Sequence, residues 1–196
     1  MEWTAEPDLA ELQKAYAILR VNPRDGLERL EKLAGAGSTA SMLYLGDAYY
    51  HGMGVKKDIK LATHWYEMAD QRNSREAAYI LGRIYTDSND IDAAFSAYSR
   101  GVARESPPAM YRLAYMHRMG LGTERSETIY RSLVERAAAR GHVLARRDFA
   151  CLLMHENLGI KSKINGFCIY ISNIIFVLYL AVRAMRHGTY FDERLM

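Results

Sequence analysis

The sequence predicts an all-α fold: an α-solenoid of stacked antiparallel helix pairs, with a long apolar helix near its C-terminal end. Three observations carry this expectation. A motif with the spacing of one helix face recurs through the middle of the 196-residue chain. Val- and Thr-rich alternating runs, the signature of strands, do not occur. From Ile164 to Val182 run 19 consecutive uncharged residues, of which only Asn165, Gly166, Ser172 and Asn173 lie outside the apolar class.

Taken in order, residues 1–38 read as a degenerate leading helix pair, 8–20 and 24–36, broken at Asn22-Pro23 because the residue before a proline disfavours the helical region. Four repeats follow over 39–163: 39–74, 75–106, 107–142 and a partial 143–163. Leu45-Gly46-x-x-Tyr49 returns as Leu81-Gly82-x-x-Tyr85, as Leu113-Ala114-x-x-His117 and faintly as Phe149-Ala150-x-x-Leu153. A small residue precedes each Gly/Ala by one helical turn and a residue: Ser41, Ala77, Ala109 and Ala145. A second block completes each unit, Ala62-x-x-Trp65-Tyr66-x-x-Ala69, then Ala94-x-x-Ala97-Tyr98, then Tyr130-x-x-Leu133-Val134-x-x-Ala137. Both blocks have helical period, so each repeat is two short helices that bury an apolar face only by stacking on neighbours. Gly52-x-Gly54 and Gly120-x-Gly122 end first helices, where positive φ angles are needed. The second repeat shortens this loop to Ser88-Asn89-Asp90.

The pattern Ala-x-x-x-Leu-Gly-x-x-Tyr-x-x-Gly-x-Gly-Val-x-x-Asp-x-x-x-Ala-x-x-Trp-Tyr-x-x-Ala resembles that of Sel1-like repeats, relatives of tetratricopeptide repeats. Residues 41–69 match nearly throughout, through Ser41, Leu45, Gly46, Tyr49, Gly52, Gly54, Val55, Asp58, Ala62, Trp65, Tyr66 and Ala69. Residues 77–103 and 109–141 match more loosely, and 145–163 in outline. The resemblance implies a curved scaffold that binds other proteins, in bacterial signalling, envelope or exopolysaccharide systems or in membrane-associated quality control. The secreted, Cys-rich branch with a disulfide in each repeat does not carry over, since Cys151 and Cys168 are the only cysteines.

Composition narrows the function classes. An apolar fraction of 49% with 26 basic against 23 acidic residues excludes a disordered chain. A net charge of +3, with no stacked basic stripe, gives no footprint for nucleic acid. The N-terminal residues, Met1 to Asp8, lack the basic and apolar regions of a secretory signal. Catalytic templates fail on spacing: the histidines at 51, 64, 117, 142, 155 and 187 never fall four apart, and Gly52-Met53-Gly54 follows a helix rather than a strand. No catalytic residue, metal ligand, cofactor or small-molecule substrate is expected.

The segment 164–182 would rise about 28 Å as a helix, close to the hydrocarbon thickness of a bilayer. Phe167, Ile171, Ile174, Ile175, Phe176 and Leu178 place apolar side chains on every side of it. It is expected to span a membrane, or else to be covered by a protein partner. The bland alternative is the last solenoid helix, because counting from Ala150 puts Ile169-Tyr170 where Trp65-Tyr66 stand in the first repeat. Lys161, Lys163, Arg146 and Arg147 outweigh Arg183, Arg186 and Arg194, so a span would keep the solenoid cytoplasmic, with 183–196 as a short polar tail. A soluble cytoplasmic chain is the alternative.

Partner binding is expected on the ridge of first helices at −2, +1 and +5 from each Gly/Ala, the concave face of such a solenoid. That ridge comprises Tyr44, Asp47 and His51; Ile80, Arg83 and Asp87; Arg112, Tyr115 and Met119; and Asp148, Cys151 and His155. Aromatic, Arg and Met side chains favour recognition of a protein or peptide. The expected function is a non-enzymatic, membrane-tethered adaptor serving a larger complex. The alternatives are a regulatory subunit whose C-terminal helix docks into a membrane protein and, third, a cell-wall hydrolase built on Asp47, His51, Arg83 and Asp87.

Overall fold

The computed structural model describes residues 6, 8–155 and 159–187, with side chains to Arg183. Residues 188–196 of the expected polar tail, and 1–5 and 7 of the leading segment, lie outside the described residues. Ten helices follow one another: α1 (Leu9–Leu19), α2 (Pro23–Gly35), α3 (Thr39–His51), α4 (Ile59–Gln71), α5 (Arg75–Asp87), α6 (Ile91–Ala103), α7 (Pro107–Met119), α8 (Glu127–Ala139), α9 (Val143–His155) and α10 (Ile160–His187). No strand occurs among the described residues. The chain divides into two compact units, the first ending at Arg104 and the second starting at Glu105, and within each unit every helix packs on the next to form antiparallel pairs. The fold is an all-α solenoid of stacked helix pairs with a C-terminal apolar helix.

The punctuation is local and regular. Second helices open on side-chain caps: Asn22, Asp58, Asp90 and Ser126 each accept from the backbone N–H three residues on. First helices of the repeats follow a residue with positive φ, at Gly37, Asn73, Glu105 and Gly141. Ser38 and Ser74 then cap α3 and α5. At the start of α9 the cap is His142, whose Nδ1 accepts from the Ala145 N–H at 3.2 Å. Gly52 and Gly120 close the first helices of their repeats in the left-handed region, while the shortened loop makes the same turn with Asn89 at φ 62°.

In the first two repeats a ring from the second helix lies against a glycine of the first. A Cβ at Gly46 would stand 2.5 Å from Tyr66 Cε1, and one at Gly82 would stand 2.4 Å from Tyr98 Cε1. Each ring therefore approaches the backbone of the first helix to a distance only glycine allows. The leading pair joins the same core through Leu12, Ala15, Leu19, Leu27 and Leu30. Asp70, buried at the end of α4, accepts from Arg100 Nε at 2.8 Å and from Arg104, which also donates to the Ser74 carbonyl at 2.9 Å.

The second unit changes the filling. Ala114 and Val134 stand where the earlier repeats have glycine and tyrosine, and both are fully buried. Glu105 binds Arg136 and Arg140, and this Arg pair has the i, i+4 spacing of Arg100 and Arg104. The helix α10 packs on α9 as the second member of the last pair. A Cβ at Gly166 would reach the Ala150 carbonyl at 2.8 Å, and Asn173 Nδ2 donates to the Val143 carbonyl at 3.1 Å. The reading of this segment as the last solenoid helix thus describes how its inner side packs.

Candidate interaction site

The expected ridge in the first unit is partly absorbed by packing. Tyr44 stacks on Tyr16 with ring centroids 4.5 Å apart. The Asp47 carboxylate accepts from the Tyr66 hydroxyl at 2.7 Å, which holds the ring over Gly46. Arg83 lies over the Tyr79 ring, its guanidinium carbon 5.9 Å from the centroid, and Ile80 is half-buried. His51 and Asp87 are exposed at the helix ends.

The second unit gathers its ridge into a cavity of about 450 Å³ between α7, α8 and α9. From α7 come Tyr111, Tyr115 and Arg118, and from α8 comes Tyr130. From α9 come Arg147, Asp148, Cys151, Leu152 and His155. Asp148 organises one wall, accepting from Tyr111 at 2.9 Å and from Arg147 at 2.9 Å. Arg118 covers Tyr130 at 4.8 Å from the ring centroid and donates to its hydroxyl at 3.2 Å. Tyr115 is 50% exposed, and Arg112 and Met119 lie outside the lining with Met119 at 55%. His155 closes its helix, its Nδ1 2.8 Å from the Cys151 carbonyl.

Burial sets the protonation of this wall. The Tyr111 phenol is pushed up to about 12, first by burial and then by the adjacent Asp148 carboxylate, so it remains a donor. Beside it, 4.8 Å ring to ring, His142 is pushed down to about 4 by burial and by the charge of Arg112, against the opposing pull of Asp148. A neutral imidazole is what the cap requires, since a protonated Nδ1 has no lone pair for the Ala145 N–H. Among the described residues no cluster of three His, Cys, Asp or Glu side chains is arranged to hold a metal ion.

The ridge expected from the sequence supplies Tyr115, Asp148, Cys151 and His155 to this cavity, while Tyr111, Arg118, Tyr130 and Arg147 line it from outside that ridge. Tyr111 and Arg147 sit one residue before the chosen ridge, and Arg118 one residue before its last position. Tyr130 carried a signal, because it replaces the alanine of the other repeats, Ala62 and Ala94.

In α10 the apolar side chains of Phe167, Ile171, Ile174, Ile175 and Leu178 are exposed and Phe176 is half-buried, beside exposed Lys161, Lys163, Asn165 and Ser172. The stretch Ile160–Arg183 is long and apolar enough to cross a membrane by length and composition.

A protein-family model described as Sel1 repeat matches residues 39–69 and 107–142. This is a Sel1-like repeat protein. The intervening stretch 75–106 is the repeat with the shortened loop. Sel1-repeat proteins are generally protein-interaction scaffolds, and the repeat fold is typically non-catalytic. In solved structures, the chain is similar to c5321, a protective antigen of uropathogenic Escherichia coli strains displaying an SLR fold (TM-score 0.74, 18% identity, 95% of this chain and 43% of that one). It is also similar to a Sel1 repeat protein from Oxalobacter formigenes, with a TM-score of 0.72 and 19% identity, over 83% of this chain and 71% of that one. Among curated proteins it resembles Protein DSF2 of Saccharomyces cerevisiae, 32% identical over 130 residues, 65% of this chain and 17% of that protein. The match therefore spans about a sixth of the yeast protein's length, and these likenesses speak to the repeat fold.

Proposed function

We propose that this Sel1-repeat chain is a non-enzymatic adaptor that holds a protein partner in the cavity of its second unit and is tethered to a membrane through α10. The observation that supports partner binding is the composition of the cavity wall: three tyrosines and two arginines, with a single carboxylate engaged by Tyr111 and Arg147. Tyr and Arg supply large contact area with a polar tip and dominate the energetics of protein interfaces. Arg118 faces a neutral phenol rather than a carboxylate, which leaves its charge for an acidic group on the partner. The partner is a component of a larger envelope, exopolysaccharide or signalling assembly, with the solenoid on the cytoplasmic side.

A photo-crosslinking side chain at position 115 of the full chain, expressed in its source cell, tests the reading. A discrete protein adduct is expected, lost on Arg118→Ala and retained on Arg83→Ala in the other unit. Adduct formation indifferent to both substitutions would overturn the assignment of the site. The second reading, a regulatory subunit that docks α10 into a membrane protein, is favoured by the exposed apolar face of that helix. Co-purification of a stoichiometric partner lost on Phe167→Asp, with crosslinking at 115 absent, would establish it instead. The hydrolase reading has less support, because Asp47 and Arg83 are engaged with Tyr66 and Tyr79.

A further inference from the structure

The helix α10 has two distinct faces. Ser162, Gly166 and Asn173 turn toward α9: Ser162 donates to the Leu153 carbonyl at 3.3 Å, Gly166 abuts Ala150, and Asn173 donates to Val143. Ile164, Phe167, Ile171, Ile174 and Leu178 succeed one another at alternating steps of three and four residues, the spacing of a continuous apolar seam on one helix side. At 100° per residue the centre of that seam lies about 130° from the line of Gly166 and Asn173, so the seam faces away from α9. All five seam residues are exposed, from 39% at Ile171 to 59% at Leu178.

The contact with α9 limits what can cover the seam. It runs from Ser162 to Asn173, and Arg146 of α9 donates to Ser172 at 2.8 Å. If α10 crossed a bilayer over 164–182, α9 would have to be stripped away, or Arg146, Arg147 and Asp148 drawn to hydrocarbon depth. With the pair intact only 174–187 projects past α9, a rise of about 21 Å against a hydrocarbon core of about 30 Å. A second copy is a poor cover as well. From 159 to 183 the chain has Lys161, Lys163 and Arg183 and no acid, so two such helices would bring together like charges in either alignment. Anionic headgroups answer those charges. Lys161 and Lys163 flank the seam at its start, where lysines reach phosphates while apolar neighbours enter the acyl region, and Arg183 turns toward the opposite side.

We infer that α10 lies in the plane of an anionic membrane surface, its seam in one leaflet and α9 on the aqueous side, and does not cross the bilayer. This rests on the membrane-tether reading above and specifies its geometry. The test adds full-length protein to phosphatidylcholine vesicles with and without phosphatidylglycerol. Flotation with the phosphatidylglycerol vesicles is expected, weakening with salt and falling about 30-fold in the Lys161→Gln/Lys163→Gln variant. Phe167→Asp/Ile174→Asp is expected to abolish it; because both side chains are exposed, unchanged helicity and melting temperature would show that folding survives. Topology is read in a Cys151→Ser/Cys168→Ser/Arg183→Cys chain by maleimide-polyethylene glycol added outside the vesicles. Full labelling supports the in-plane geometry, and protection until detergent is added overturns it in favour of a span while leaving the tether intact. Absence of flotation defeats tether and geometry together. A dimer lost on Phe167→Asp/Ile174→Asp, with no vesicle binding, assigns the seam to a second copy.

Discussion

At the scale of single residues, the repeat is held by complementary volumes across each helix pair. Gly46 and Gly82 sit under the rings of Tyr66 and Tyr98, whereas Ala114 opposes Val134. The extra methyl on one side is accompanied by a smaller side chain on the other. Gly82→Ala alone forces a Cβ to 2.4 Å from Tyr98 and is expected to destabilise the chain by about 1–3 kcal/mol, the usual range for overpacking. Adding Tyr98→Val recreates the third repeat's pairing, so urea denaturation of the double variant should show less than the sum of the single losses. Strict additivity would show that the two sites do not share the space. The cap at His142 makes a separate prediction. Its folded value of about 4 lies below the ordinary 6.5, so the unfolded chain binds the proton first as pH falls. Its contribution is complete above 6.5, declines as pH drops toward 4, and amounts to about 3 kcal/mol in that window by the usual conversion. Arg112, Asp148 and Tyr111 are the titratable or charged groups around it. His142→Ser keeps a cap without a titrating ring, so its melting temperature should fall less than the wild type's between pH 7 and pH 4.5. An identical decline would assign the acid sensitivity elsewhere.

At the scale of elements, much was legible because helices announce themselves by period and punctuation. The repeated Leu-Gly-x-x-Tyr block sets the first helices, and the glycines at 52 and 120 adopt the positive φ that their positions in the sequence required. The caps were not read, although Asp58, Asp90 and Ser126 each stand immediately before a second helix. The latch between neighbouring helices was also missed. Arg100 and Arg104 clasp Asp70 across 30 and 34 residues of sequence, a pairing that only the stacking brings together. An Asp70→Ala chain leaves two arginines facing a carbonyl and each other. It is expected to lose about 2 kcal/mol, more than exposed pairs such as Lys32 with Glu28 contribute. A midpoint shift within a few tenths of a kcal/mol would show that the latch only orders the surface. The C-terminal segment shows the limit of reading by composition. Its 19 uncharged residues predicted a cover on every side. Composition does not reveal that Gly166 and Asn173 devote one side to α9, because a glycine and an asparagine in an apolar run count only as interruptions.

At the scale of the whole molecule, the division between Arg104 and Glu105 had no counterpart in the repeat pattern, which treats the second and third repeats as equivalent neighbours. The cavity was only half visible for a related reason. A periodic sequence marks what recurs, whereas Tyr111, Arg118 and Tyr130 form a site through departures from the period. Stability in stacked repeats is the sum of local terms, each repeat contacting its neighbours. A core defect should therefore stay within its own unit. Leu81 is fully buried in α5, and Leu81→Ala is expected to cost about 2–5 kcal/mol as a truncation leaving a cavity. By hydrogen exchange, amides of α3 to α6 should lose protection while those of α7 to α9 keep theirs, since the contacts that hold the latter lie within the second unit. Equal loss in every helix would mean that the chain opens as one cooperative body. In that case substitutions in the first unit would weaken partner capture at Tyr115 through stability alone, and a crosslink lost on Arg83→Ala would have to be compared at matched stability before it counted against the second-unit site.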